Sequence, residues 1–414
     1  MPGGREAALK ALARHRRQGG KLDGFLREST AELDPREAAL ATRLCYGVTQ
    51  TERLLELGLS DFVNLKRAHP KIIDILYAGA YQLWFMDKIP RHALVDESVR
   101  LARKAAPHSA GMVNAVLRRL PDEPPESDDP RVRYSIPDWM WERVSAVYGA
   151  EQAEAFFRAC NDIPPVTAHI NPLKPGLAPP EGEPHPFLPG CVNISGSVDR
   201  MESFRRGGFT VADAASRLCV LALGTRPGMS VWDVCAAPGG KTAMTAFEMN
   251  NDGYILSTDV SPEKLSPLDA AMTRLGVTIV KAATGDGRVF SPDREFDAVL
   301  CDAPCSGLGV LRKKPDIRNR TREQAALLPP VQLAILQNAA RFVKPGGTLV
   351  YSTCTVLPEE NEEVAAEFLR GNSGFRPVGF TLPGIGDFPD GQVTLLPHRH
   401  GTDGFFIAKM ERIS

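Results

Sequence analysis

The chain lacks several features that would have placed it at once. It has no apolar run long enough to cross a bilayer, and its opening MPGGREAALKALARHRRQ lacks the apolar block of a secretory signal, so the expected compartment is cytoplasmic. Its eight cysteines include no Cys-x-x-Cys pair, so neither a disulfide framework nor a zinc site is expected, and individual thiols are available for chemistry. It has no charge excess either: 49 Lys and Arg stand against 50 Asp and Glu, and any nucleic-acid surface must be a local patch. What it does have is size. At 414 residues, with 43% apolar and 24% charged, it is long enough for two or three ordinary globular domains.

The stretch SVWDVCAAPGGKT (Ser230 to Thr242) is defined partly by what it lacks. A phosphate-cradling P-loop needs a glycine where Cys235 stands. A dinucleotide fingerprint needs alternating glycines, which Cys235-Ala236-Ala237 does not supply. What remains is a short buried strand, a turn stripped of bulk at Ala236, Ala237, Pro238, Gly239 and Gly240, and a helix opening at Lys241 with its free amides pointing back at the turn. That arrangement suits a small polar ligand other than a pyrophosphate, although a plain tight turn would look similar.

The N-terminal part, to about Leu120, is helical in pattern. Asp34-Pro35-Arg36-Glu37 reads as a helix start, with a cap, a proline in the first turn and a glutamate placed to reach back. Ile72, Ile73, Leu76, Tyr77, Leu83 and Trp84 recur at helical spacing after Pro70, which predicts a helical bundle. Basic residues gather at Lys10, Arg14, Arg16, Arg17 and Lys21, and again at Arg100, Arg103, Lys104, Arg118 and Arg119, as solvated helix faces or as an RNA-contacting surface. PDEPPESDDP (Pro121 to Pro130) is an acidic, proline-rich linker. Asp138 to Cys160 is helical again, TAHIN (Thr167 to Asn171) is a short strand, and 172–190 is loop-rich.

Beyond Met229 strands and helices alternate. Strands are predicted at Tyr254 to Asp259, Thr278 to Ala282, Phe296 to Asp302 and Gly347 to Thr353, with Val393 to Leu396 and Phe405 to Lys409 as an antiparallel pair at one edge. In such sheets ligands lie across the carboxyl ends of the strands, where Asp233, Asp259, Asp286 and Asp302 stand. Carboxylates favour a cationic ligand such as a sulfonium, and Asp259 is placed to accept from ribose hydroxyls. These aspartates and the Gly-rich turn together point to S-adenosylmethionine, though each aspartate alone could be a helix cap.

Cys305 and Cys354 each follow a strand at this ligand face, whereas Cys219 and Cys301 read as buried apolar residues. A thiolate beside a methyl donor has one clear use. The C5 atom of cytosine attacks a sulfonium methyl poorly, and thiolate addition at C6 makes it an enamine-like nucleophile. Asp302 is available to assist at N3.

DVCAAPGGKT (Asp233 to Thr242), CDAPCSGLGVLRKKPD (Cys301 to Asp316), YSTCTVLPEENE (Tyr351 to Glu362) and DGFFIAKM (Asp403 to Met410) resemble the RNA cytosine-C5 methyltransferases. With GMVNAVLRRL (Gly111 to Leu120), nearly the whole chain resembles their Sun/Fmu branch. That resemblance implies an α/β fold: a class I, Rossmann-like methyltransferase sheet at 229–414, an all-α NusB-like RNA-binding domain at 1–125, and a small mixed linking subdomain at 131–228. It implies methylation of C5 of a cytosine in 16S ribosomal RNA by a monomer, without metal or membrane partner. Cys354 would be the nucleophile, Cys305 would assist release, and Cys235 to Lys241, Asp259, Asp286 and Asp302 would bind the methyl donor, with Asp302 also near the base. The choice of Cys354 comes from the family, since DNA cytosine methyltransferases use the proline-cysteine position. Arg312, Lys313, Lys314 and Arg318, with Arg320 and Arg322 beyond them and Arg118 and Arg119 in the bundle, are the expected RNA contacts, or else a solvated charge run. Two departures are Ala212, where the family usually has glutamine, and His169, where arginine is common; both are expected to bear on RNA contacts. The competing functions are an RNA-binding or antitermination factor on an inert scaffold, and the same chemistry on transfer RNA.

Overall fold

Local signals start the helices of the N-terminal part. Asp34 caps the helix Pro35–Ser60 by accepting from the Arg36 and Glu37 amides, at 2.9 and 3.2 Å. Glu37 does not reach back as expected: its carboxylate accepts instead from the Gly4 amide, so it joins two helices rather than closing a capping box. The helix Pro70–Phe85 buries Ile72, Leu76, Tyr77 and Trp84 on the face predicted by their spacing.

The computed structural model describes residues 3–87 and 89–413, and the chain divides into two units. The first is Met1–Asn161 together with Leu311–Arg320. Its helices Gly4–Gln18, Leu22–Thr30, Pro35–Ser60, Pro70–Phe85, Arg91–Ala105 and Ala110–Arg119 enclose a core that includes Leu12, Leu44, Leu55, Leu76 and Val113. The helices Asp138–Tyr148 and Ala150–Ala159 follow, broken at Gly149, whose φ of +83° a side chain would resist. The expected linking segment is thus divided, its part up to Asn161 falling in this unit and the rest, with all its strands and the helices Glu202–Arg205 and Ala214–Leu223, in the other.

The second unit is Asp162–Val310 with Thr321–Ser414. It opens with a small antiparallel sheet of β1 (Val166–Ile170), β2 (Glu183–Pro184), β3 (Cys191–Ile194) and β4 (Phe209–Val211), in the order β2-β3-β1-β4. The main sheet holds β5 (Ser230–Asp233), β6 (Tyr254–Asp259), β7 (Val280–Thr284), β8 (Phe296–Asp302), β9 (Val343–Thr353), β10 (Phe375–Pro377), β13 (Gln392–Leu395) and β14 (Phe405–Arg412), while β11 (Phe380–Leu382) and β12 (Gly386–Phe388) form a separate hairpin. Its order is β10-β14-β9-β8-β5-β6-β7, with β13 on β14. Strands β5 to β9 pair in parallel, and β14 joins antiparallel.

Side chains alternate between the two faces, as the twofold period of a strand requires. Val231, Ile255, Ala298 and Val350 enter one core, and Trp232, Leu256, Val299 and Tyr351 the other. This is the Rossmann-like α/β arrangement expected. The chain runs outward from β5 to β6 and β7 on one side, then returns to β8 and β9 on the other. A topological switch therefore lies beside β5, where doubly wound sheets open a crevice for ligands. No helix among the described residues is long and apolar enough to cross a membrane. Among those residues, too, no group of three or more His, Cys, Asp or Glu could hold a metal ion.

Candidate active site

The loop after β5 is built by backbone bonds to both neighbouring strands. The Val234 amide donates to the Leu300 carbonyl at 2.9 Å and the Ala236 amide to the Thr258 carbonyl at 2.8 Å. Gly239, at φ +101°, turns the chain into the helix Gly240–Glu248, and a Cβ there would stand 2.8 Å from Leu268. Beside this loop lies a cavity of about 420 Å³, bordered by Cys235, Ala237, Asp259, Asp286, Asp302 and Pro304 among others. Ala236, Pro238, Gly239, Gly240 and Lys241 shape the turn but do not border that cavity.

Three of the four strand-end aspartates reach the cavity, and Asp233 does not. It is 2% exposed and accepts from Thr242 Oγ1 at 2.7 Å, so it ties the helix to the strand beneath the loop. Burial pushes its carboxyl up to about 7, against the Thr242 bond. Asp259 accepts from the Ser261 amide and lies 3.6 Å from Lys264 Nζ. Asp286 forms a two-pronged pair with Arg288, which holds its carboxyl below the ordinary range. Val260, Lys264, Arg288, Val331 and Ile335 also border the cavity and were not singled out from sequence. The one available signal was Val260, a large apolar residue directly after a strand-ending acid, here 66% exposed.

Asp302 is the hub between this cavity and the thiols. Its Oδ2 receives Lys241 Nζ at 2.7 Å and its Oδ1 receives Ser352 Oγ at 2.8 Å. Burial works against the Lys241 ammonium, but Asp302 together with Cys219 and Cys354 outweighs it and the net shift is upward. The ammonium also lies 4.9 Å from the Phe405 ring centroid, within cation–π range. Lys241 therefore points at Asp302 rather than into the cavity.

The Sγ atoms of Cys305 and Cys354 are 3.2 Å apart. The bond to Cys354, and then burial, push the Cys305 thiol well above its ordinary range, and either sulfur can donate in the bond between them. Burial likewise keeps Cys235 a protonated wall residue, and Cys219 and Cys301 are fully buried.

A carboxylate that sequence reading missed holds both cysteine loops. Glu360, 1% exposed, accepts from the Ser306 amide at 2.7 Å and from Gln332 Nε2 at 2.9 Å, while the same Nε2 reaches the Pro304 carbonyl at 3.0 Å. Ser306 Oγ meets Thr355 Oγ1 at 2.8 Å, and the Gly309 amide donates to the Cys354 carbonyl at 3.0 Å. A Cβ on Gly309 would lie 1.9 Å from the Gly404 carbonyl oxygen, so only glycine fits. The acidic run Pro358-Glu359-Glu360 was visible in the sequence, but not the inward turn of Glu360.

The two departures from the family pattern touch each other. His169 Nε2–H donates to the Ala212 carbonyl at 3.0 Å, and Nδ1 lies 3.1 Å from Cys191 Sγ. Burial pulls His169 down to about 4 and pushes Cys191 up to about 11, so both are neutral core groups joining β1, β3 and the segment after β4.

The basic run of the other unit is not one exposed strip. Arg318 is 6% exposed, donates to Asn161 Oδ1 at 2.5 Å and to the Leu311 carbonyl, and is pulled down to about 10 by burial. Arg312 is also buried, Lys313 is half-buried, and Lys314 is exposed. A phosphate contact from Arg318 would require this packing to open. Arg118 and Arg119 are exposed on the last turn of their helix.

A family model described as 16S rRNA methyltransferase RsmB/F matches residues 220–411, and the NusB family model matches residues 3–122. A protein of Bacillus subtilis (strain 168) named "Probable ribosomal RNA small subunit methyltransferase B" is 34% identical over 439 residues, covering 99% of this chain and 98% of its own. The chain belongs to this family. The Ribosomal RNA small subunit methyltransferase B of Erwinia tasmaniensis is 32% identical over 95% of both chains. The crystal structure of PH0851 covers 99% of this chain and 98% of its own, with a TM-score of 0.81 and 26% identity. NSun6 from Pyrococcus horikoshii with SFG matches 67% of this chain and 98% of its own, with a TM-score of 0.59 and 23% identity, and supports the fold alone.

As a member of an S-adenosylmethionine-dependent family, the chain has S-adenosylmethionine as its cofactor, and the cavity fits it: about 420 Å³, three carboxylates, and an apolar wall at Val260, Val331 and Ile335. An inert scaffold is excluded by the same membership.

Two outcomes follow for variants. Glu360→Ala leaves the Ser306 amide and Gln332 without their acceptor and should cost about 2–4 kcal/mol in urea unfolding; a change within error would mean the cysteine loops hold themselves. Asp233 binds its proton more tightly folded than unfolded, so stability should fall as pH rises from about 4, the ordinary carboxyl range, to about 7. Asp233→Asn should flatten that fall, and an unchanged slope would show that Asp233 titrates alike in both states.

Proposed function

We propose that this protein methylates C5 of a cytosine in small-subunit ribosomal RNA, with Cys354 forming a transient bond to C6. The observation that carries the reading is two thiols 3.2 Å apart on the loops that follow β8 and β9, the first of which borders the cofactor cavity through Asp302 and Pro304. Relatives named for small-subunit ribosomal RNA support the substrate class.

The Cys354 sulfur adds to C6, and the C5–C6 π electrons move into the ring toward N3 and O2. Both oxygens of Asp302 already accept, from Lys241 and from Ser352. Lys241 is therefore the donor that meets the charge building at N3 and O2, and Asp302 holds it there. This moves the assistance first sought in Asp302 to the ion pair. S-adenosylmethionine, when bound, supplies an electrophilic methyl group, and C5 is the atom that takes it up. For release, the C5 proton passes to a base, the C–H electron pair restores the C5–C6 double bond, and the C6–S bond breaks. Cys305, still protonated, donates to the departing Cys354 sulfur as charge returns to it. The cytosine must be unpaired or turned out of its stack to reach these groups. The helical unit, with Arg118 and Arg119 exposed, gives the enzyme a second RNA-binding surface.

Cys305→Ala should retain attack and methylation but slow release, so that a denaturation-resistant protein–RNA adduct accumulates on gels. Cys354→Ala should yield neither product nor adduct, and an adduct in that variant would reverse the two roles. Lys241→Met should slow single-turnover methyl transfer by about 10²–10⁴-fold while leaving cofactor affinity within a few-fold. Lost cofactor affinity with an unchanged rate at saturation would instead make Lys241 a cofactor ligand.

A further inference from the structure

The helical unit contains a second cavity, of about 330 Å³, that the methyl-transfer chemistry does not use. Leu9, Ile75 and Leu101 line it with apolar surface, Lys10, Arg17 and Lys71 bring positive charge to the same space, and Glu6, which also borders it, is paired with Lys104 at 3.2 Å. Asp74, on the helix Pro70–Phe85, also borders it and is 3% exposed. A buried carboxylate needs donors, and this one is short of them. Arg16 Nε lies 3.0 Å from Asp74 Oδ1, close enough to compensate charge but off the line of a hydrogen bond, so Oδ1 has no donor. The Arg16 guanidinium is drawn the other way by Glu52, 2.8 Å from Nη1.

The chemistry of this cavity is selective. Apolar walls take a flat base, cations take a phosphate, and an acceptor-only carboxylate takes a base edge that presents donors side by side. Guanine alone among the RNA bases does so, through N1–H and the 2-amino group. Adenine and cytosine place a ring-nitrogen acceptor beside their amino group, and uracil has one N–H between two carbonyls. Single-stranded RNA is read along this edge. We propose that the cavity bordered by Asp74 binds a guanine nucleotide of the RNA substrate, with the base edge on Asp74 and the phosphate on Lys10, Arg17 or Lys71. The inference rests on the reading that the substrate is RNA, and it adds a base-selective subsite to it.

Calorimetric titration of the full-length protein with 5′-GMP, 5′-IMP and 5′-AMP tests this directly. Inosine keeps the N1–H of guanine but lacks the 2-amino group, so GMP should bind about 10-fold or more tighter than IMP, and AMP should be weaker still. Asp74→Asn should abolish the GMP preference, and Lys71→Ala should weaken all three nucleotides while preserving their order. Equal affinity for GMP and IMP in the unaltered protein, or no saturable GMP binding in the millimolar range, would overturn the proposal. Because the readout is binding, a protein that methylates RNA but ignores GMP refutes this subsite alone. One that binds GMP but never methylates cytosine refutes the catalytic reading alone.

Discussion

The parallel pairing of β8 with β9 is the constraint on which the site depends. Asp302 lies opposite Ser352 in that ladder, so the loops carrying Cys305 and Cys354 leave the sheet side by side at the same edge. Two sulfur atoms nearly 50 residues apart in the chain meet because their strands end in register. A slip of one residue would turn Asp302 and Ser352 to opposite faces and take Asp302 away from Lys241.

Buried charge then holds what the ladder has brought together. Glu360 collects donors from the Cys305 loop and from the neighbouring helix, and Asp302 collects Lys241 and Ser352. Each carboxylate accepts from two donors at 2.7 to 2.9 Å, and such bonds are strong where water is excluded. The upward shift of the Cys305 thiol has a mechanistic use, since a sulfur that holds its proton suits release.

Much of the architecture was legible because it rests on short-range pattern. Strands β6 and β8 occupy the residues that their apolar runs and terminal aspartates mark out. The edge strand β7 begins two residues later than Thr278, because its half-exposed side chains leave little periodicity to read. The site was legible as a set of residues but not as a set of directions. Asp233 ends its strand like Asp259 and Asp302, yet it faces inward to Thr242, which its strand-end position alone does not reveal. Glu360 and Arg318 were obscured for a related reason, since a charge in an acidic or basic run looks solvated until a distant segment covers it.

The most direct test is a single-turnover reaction with a small-subunit ribosomal RNA fragment carrying 5-fluorocytidine at the methylated position. Fluorine on C5 cannot leave as a proton, so the covalent intermediate should be trapped in the presence of S-adenosylmethionine and be visible by mass spectrometry of the digested protein. The account predicts a nucleotide adduct on the peptide containing Cys354, with Cys305 unmodified. An adduct on Cys305, or methylation without any adduct, would contradict it.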